Sequence, residues 1–212
     1  MHRQTAVTAS MLALSFTIAT SSAIASSATK PSAATETVTK TVAAPQVQPQ
    51  IKVEVVTVAL SPAECEVWDR EHGFASSVEH HDAKAFVDFI DPGAAFNAGT
   101  RAPVHGRAAV AADWKEIVEG KQIKLRWSPA IVTMGGDGSL AISRGPSWLE
   151  DLRPDAKQRY RIGEFISTWS KNRDGKWRVL FDSGATPMRA ATADEVAQLV
   201  AAIPKSCQAA PR

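Results

Sequence analysis

The sequence predicts an α+β domain: a cone-shaped, curved antiparallel sheet packed on three N-terminal helices. Two observations carry that expectation. From Ser61 to Gly120 apolar residues recur at helical spacing, and beyond Gly120 the period changes to stretches rich in Ile, Val, Leu, Trp and Phe joined by glycine-containing turns. Helices first and strands afterwards place the helices together on one face of the sheet. Strands this long accumulate twist, so the sheet curls around the helices and leaves a cone with one open mouth.

The first helix opens on Ser61, with Pro62 at the first helical position and Glu64 placed to bond back to the cap. It runs to about His80, and Val67, Trp68, Phe74, Ala75 and Val78 form one buried stripe. Asp82 caps a short second helix carrying Phe86, Phe89 and Ile90, which Pro92-Gly93 ends. Ala95-Phe96-Asn97 reads as a brief strand and the Gly99 to Pro103 region as a turn. Arg107 to Glu119 forms a third helix that buries Val110, Trp114 and Ile117 and stops at Gly120. Gln122–Met134, Ser139–Leu149, Gln158–Lys171 and Lys176–Ser183 read as four strands of an antiparallel meander. The first pair turns at Gly135–Gly138 and the last at Asn172–Gly175. Thr192 and Glu195 repeat the capping-box spacing and start a short helix that ends at Pro204.

The flanks differ in composition. Met1 to Ala25 carries His2 and Arg3, then an apolar stretch with Met11, Leu12, Leu14, Phe16 and Ile18, then Ala23-Ile24-Ala25. That is the pattern of a secretory signal cleaved after Ala25, with an uncleaved anchor as the alternative; the frequent Ser and Thr make a weak spanning helix. The expected location is periplasmic or secreted, without membrane attachment after cleavage. Residues 26–50, dominated by Ser, Ala, Thr, Pro and Gln, read as a disordered spacer, and 51–60 as a candidate edge strand. The cone domain is expected over 61–187, and 188–212 supplies a C-terminal helix and tail. A net charge of +2 over 212 residues, without a basic cluster, argues against a nucleic-acid partner. Cys65 and Cys207 are the two cysteines; in an oxidising compartment they can bond, and the alternative is two unrelated thiols.

The run Leu125-Arg126-Trp127-Ser128-Pro129, the pieces Gly138-Ser139-Leu140 and Arg144-Gly145-Pro146, and then Gly163, Phe165, Trp169, Gly175, Trp177, Asp182 and Gly184 carry a resemblance. Over about Cys65 to Pro187 the chain resembles the nuclear transport factor 2-like superfamily, and within it the SnoaL-like group related to ketosteroid isomerases and polyketide cyclases. The resemblance implies a ligand site inside the cone and homodimerisation through the sheet, on a scaffold that serves isomerases, dehydratases, cyclases and plain binding modules. Related sequences often carry a Tyr near the start of the second long strand, where this chain has Ile142.

Proton chemistry on an apolar ligand needs a carboxylate in apolar surroundings. Asp182, after Trp177-Arg178-Val179-Leu180-Phe181, is the catalytic candidate; its other reading is a structural Asp bonding strand-end amides. Trp68, Glu71, Asn97, Trp127, Ile142, Arg144 and Phe165 are the candidate ligand-binding residues. Arg144 and Glu164 are alternatively an ordinary ion pair on the outer sheet face. His72, His80, His81 and Asp82 do not have metal-ligand spacing, so no metal and no cofactor is expected. The leading expectation is a binder of a small, mostly apolar molecule, with a cofactor-independent isomerase, cyclase or dehydratase as its enzymatic form. The alternative is a non-catalytic interaction or dimerisation module using the sheet face, and cavity volume separates the two: an open interior favours the binder, a filled one favours docking.

Overall fold

The computed structural model describes residues 55–210; the expected signal segment, the spacer and residues 51–54 of the candidate edge strand lie outside them. Helix α1 spans Pro62–Glu79. It opens on the full capping box: Ser61 Oγ accepts from Glu64 N at 3.3 Å while Glu64 Oε2 accepts from Ser61 N at 2.8 Å. Its inward face buries Val67, Trp68, Glu71, Phe74, Ala75 and Val78. Helix α2, Ala83–Phe89, is capped by the Asp82 carboxylate on Ala85 N at 2.9 Å. The chain passes directly into β1, Ile90–Phe96, so the expected brief strand begins five residues earlier. After β2, Val104–His105, the expected third helix is divided at Trp114 into α3, Arg107–Asp113, and α4, Lys115–Glu119. Gly120, in the left-handed region at φ 62°, closes α4.

The first expected long strand is also two: β3, Ile123–Trp127, and β4, Ile131–Gly135. Ser128-Pro129-Ala130 separates them, because Pro129 has no N–H to give to a ladder. Both pair with the same edge of β5, Leu140–Asp151; β6 is Tyr160–Lys171 and β7 is Trp177–Ala191. The long seventh strand runs past the expected boundary at residue 187, and α5, Ala193–Ala202, follows it with its own Thr192–Glu195 capping box. The sheet order is β2-β1-β7-β6-β5-β3, with β4 beside β3 on β5. One correction to the antiparallel expectation follows: β1 pairs with β7 in parallel, so the sheet is mixed. Bulges between Ile162 and Glu164 and between Thr168 and Trp169 bend the β6–β7 ladder and help curl the sheet.

Alternation along β5 assigns the faces. Ala141, Ser143, Gly145 and Ser147 are buried against the helices, while Leu140, Ile142 and Arg144 are exposed on the outer face. Inside the curl, the Phe74 ring stands 5.2 Å from those of Phe86 and Trp127 and 6.2 Å from that of Trp169. A second, smaller core lies outside the sheet, where α5 sets Leu199 against Trp148, Ile162 and Ala191. Residues 55–59 have no regular structure, and Leu60 makes a single parallel bridge with Ala209, so the described part of the 51–60 stretch adds no strand to the sheet. It is tied to the tail instead: Leu60 N donates to Gln208 O at 2.9 Å and Ala210 N to Leu60 O at 2.8 Å. Cys65 and Cys207 form a disulfide beside this pairing, with Cα atoms 5.6 Å apart.

Gly145 is required by close approach. A Cβ there would collide with the Ser128 carbonyl and stand 3.0 Å from Ala130 N, both backbone atoms of the β3–β4 crossover. G145A is therefore expected to destabilise by about 1–3 kcal/mol in urea unfolding. G135A, which would meet nothing within 4 Å, is the control expected to change stability little.

Candidate functional site

Register assembles the site. Val132 of β4 pairs with Ser143 of β5, Ser143 with Ser167 of β6, Ser167 with Asp182 of β7, and Asp182 with Phe96 of β1. Period-two alternation turns this row of a hydroxyl, a second hydroxyl and a carboxylate toward the helices. Ser143 and Ser167 are fully enclosed. Against the row, α1 delivers Glu71, which has 0% of its surface exposed.

Glu71 is held by two indoles. Trp127 Nε1 donates to Glu71 Oε1 at 2.7 Å and Trp169 Nε1 to Glu71 Oε2 at 2.7 Å. Both donors are themselves buried, and an indole N–H can only donate, so both carboxyl oxygens act as acceptors. Burial raises the Glu71 pKa from the ordinary glutamate value, and the two indoles and the neighbouring Ser167 and Ser143 hydroxyls oppose that rise. Ser143 Oγ itself makes no hydrogen bond.

Asp182 Oδ2 accepts from Ser167 Oγ at 2.9 Å. Asp182 is half-buried by surface, yet its carboxyl group is surrounded densely enough for burial to dominate. Burial first and the Glu71 charge second push its pKa up to about 7, with Ser167 working in the opposite direction. It does not close its strand, as expected from sequence, because β7 continues nine residues to Ala191. Its carboxyl bonds a side-chain hydroxyl and not strand-end amides.

The structure brings Asp182, Glu71, Trp127 and Phe165 into one interior; the Trp127 and Phe165 ring centroids are 6.4 Å apart. Of the other candidates, Trp68 lies in the same core but is committed to other partners, and Asn97, Ile142 and Arg144 lie outside it. Trp68 spends its N–H on Pro129 O at 3.0 Å and stacks on His72. Asn97 is exposed at φ 54°, accepting from Thr100 N in a turn at the end of β1. Ile142 and Arg144 point away from the interior, because they occupy the outer phase of β5, and Arg144 is paired with Glu164 there. His80 and His81 bond helix carbonyls, Asp82 caps α2, and among the described residues no group of three His, Cys, Asp or Glu side chains is arranged to hold a metal.

The expected open pocket inside the cone is corrected as well. The centre of the interior is filled by Phe74, Phe86, Phe96, Trp114, Trp127 and Trp169, all buried and in mutual ring contact. A cavity of about 500 Å³ lies on the outer face under α5, lined by Ile131, Arg144, Ile162, Thr186 and Leu199 among others. Another of about 630 Å³ lies at the surface beside Arg70, Asp88, Arg107 and Trp177. Neither touches Glu71 or Asp182. Asp182 is the one member of the Ser143–Ser167–Asp182 row and its Glu71 partner that keeps any substantial exposure, so a molecule reaches the carboxylates only from its end.

The profile of the SnoaL-like domain matches residues 72–180. Among solved structures, the chain is similar to a nuclear transport factor 2-like protein of unknown function from Pseudomonas putida, at 15% identity and TM-score 0.48 over 62% of this chain and 94% of that one. It is similar to a nuclear transport factor 2-like superfamily protein from Salmonella enterica at 16% identity and TM-score 0.49, over 62% and 96% of the two chains. A ketosteroid isomerase-like protein from Erwinia carotovora matches at 10% identity and TM-score 0.49, over 60% and 100%. No curated protein matches the sequence.

Proposed function

This chain belongs to the SnoaL-like domain family of the nuclear transport factor 2-like superfamily, and we propose that it is an exported protein that binds a small, mostly apolar molecule, with Asp182 exchanging protons with it. The observation that carries this reading is the Asp182 carboxyl at the half-exposed end of the buried row, bonded to the Ser167 hydroxyl at 2.9 Å, with burial and the Glu71 charge pushing its pKa up to about 7. A carboxyl with that proton affinity can take and return a proton near neutral pH, which is the condition for general acid–base work. Export is supported by the Met1–Ala25 pattern and by a disulfide that persists only where thiols are oxidised.

The test is proton exchange. Small apolar ketones incubated with the protein in D₂O are expected to exchange the hydrogen α to the carbonyl for deuterium, followed by NMR. D182N is expected to lose that exchange by about 100-fold or more, the usual contribution of a positioned base. Equal exchange by D182N removes Asp182 from the reaction. Absence of both exchange and thermal stabilisation by every compound in the panel favours the second reading.

That second reading is a non-catalytic module that pairs with a second copy of itself through the outer sheet face. A specific observation favours it: Ile142, Thr168 and Phe181 are cross-strand neighbours there, Ile142 and Phe181 being 47% and 44% exposed, while the interior is filled. Exposed apolar neighbours on a sheet face mark an association surface.

A further inference from the structure

Three elements far apart in the chain bring arginines to one surface cavity. Arg70 comes from α1, Arg107 from α3 and Arg178 from β7, and all three line the cavity of about 630 Å³ beside Asp88 and Trp177. The first two are fixed in place without a counter-ion. Arg70 donates from Nε at 3.3 Å and from Nη2 at 3.1 Å to the Trp177 carbonyl oxygen, and its guanidinium lies over the Phe89 ring, with Cζ 4.2 Å from the centroid. Arg107 donates from Nε to the Ile90 carbonyl oxygen at 2.7 Å. These anchors are neighbours: Phe89 and Ile90 are consecutive, and Ile90 pairs with Val179, two residues beyond Trp177. Both arginines are half-buried, and among the described residues no carboxylate oxygen comes within 4.0 Å of either. Arg178 is spent, donating from Nη1 and Nη2 to the two Asp174 oxygens at 3.0 and 2.7 Å. A half-buried cation without a paired anion is costly. Burial first and the Arg178 charge second lower the Arg70 pKa from its ordinary value, with Asp88 working in the other direction.

We propose that this cavity binds the oxyanionic group, carboxylate or phosphate, of a small molecule through Arg70 and Arg107. Nη1 of Arg70 and both terminal nitrogens of Arg107 have no acceptor among the described residues, so each guanidinium keeps donors to give. The Trp177 indole N–H is also without a partner, but it is enclosed, which leaves the guanidinium nitrogens as the donors open to a ligand. A guanidinium presents N–H donors in a planar fork that matches carboxylate and phosphate, and one already anchored on a carbonyl and stacked on a ring loses little freedom on binding. The acidic residues around the cavity do not take that place: Glu66 is paired with Lys171 at 3.3 Å, and Asp69 and Asp88 are exposed with no cation within 4.0 Å. Their charges disfavour a polyanion, while the volume fits a small molecule. The cavity does not touch Asp182, so this site stands independently of any proton exchange there.

The test titrates the disulfide-bonded protein separately with inorganic phosphate and with succinate at constant ionic strength, following the arginine Nε–H signals by ¹H–¹⁵N NMR. Saturable shifts of the Arg70 and Arg107 signals are expected with one probe or both, and the probe that binds tells a phosphate ligand from a carboxylate one. R107Q is expected to weaken that binding about tenfold or more, through loss of charge-assisted hydrogen bonds. R70K keeps the charge without the planar fork and is expected to weaken it as well. D88N removes an opposing charge at the rim and is expected to tighten binding about twofold. Asp88 makes no side-chain hydrogen bond among the described residues, so D88N decides the matter if the arginine variants do not fold. Saturation by neither probe, or wild-type affinity in the folded variants, overturns the proposal.

Discussion

C65S, or reduction of the wild-type protein, is expected to lower unfolding free energy by as much as about 5 kcal/mol. The cysteines are 142 residues apart, so the bond closes a loop of nearly the whole domain, and the entropy removed from the unfolded chain grows with the logarithm of that length. The figure is an upper one, since an unfolded chain with residual compactness has less entropy to lose. Folded-state consequences point the same way. The tail from Ile203 to Ala210 is held by the Leu60 pairing and by Cys207, which packs with Cys65 against the main core. Urea titrations with and without reductant are expected to separate by several tenths of a molar or more, given a slope of about 1–3 kcal/mol/M. Superimposable curves would show that the tail is held by backbone pairing alone.

The second large effect is a fall in stability between pH 4 and pH 8 that is reduced in D182N, what is left there belonging to Glu71, which burial also raises. Asp182 is raised from 3.8 to about 7 in the folded protein. Between those values the folded state holds a proton that the unfolded state has released, so stability is full below about pH 4 and declines as pH rises through about 7. The span corresponds to about 4 kcal/mol at most, less whatever screening reaches a half-buried residue. Replacing Asp182 with Asn keeps an acceptor for Ser167 while removing the titration, so the variant is expected to match wild type near pH 4 and exceed it at pH 8. Asp151 and Asp174, both lowered to about 2 by Arg153 and Arg178, lose their contribution only as pH falls below about 4 and leave this window clear. Equal pH profiles for the two proteins would place the Asp182 carboxyl in water.

Much of the fold is legible because local signals and tertiary structure agree. The Ser61–Glu64 and Thr192–Glu195 capping boxes sit where the spacing places them, and Gly120 ends its helix with the backbone conformation a glycine permits. What the sequence conceals is non-local. The parallel pairing of β1 with β7 joins residues such as Phe96 and Asp182, far apart in the chain, and no spacing reports it. Pro129 is a visible break in the 122–134 run, but apolar periodicity on both sides hides it. Continuation of β7 past Pro187 depends on pairing with the far end of β6, since 183–191 has little strand character of its own.

The site divides in the same manner. Glu71 is visible as the polar residue in an apolar stripe, and its indole partners are not, because Trp127 and Trp169 are read as apolar. Ser143 and Ser167 carry a fainter signal, small hydroxyl residues in the buried phase of their strands, which becomes meaningful only when register aligns them with Asp182. Ile142 is a candidate because related sequences often carry a Tyr there and Arg144 because it lies in an apolar strand; neither reason reports which face the strand register gives them, and a shift of one residue in a strand turns a side chain to the opposite face.

The claim on which the rest depends is that one carboxyl in this interior keeps its proton into the neutral range. The measurement is the ¹³C titration of Asp182 in the unmodified, disulfide-bonded protein. A midpoint near 7 is the predicted result; a midpoint near the 3.8 of a free aspartate would contradict the account.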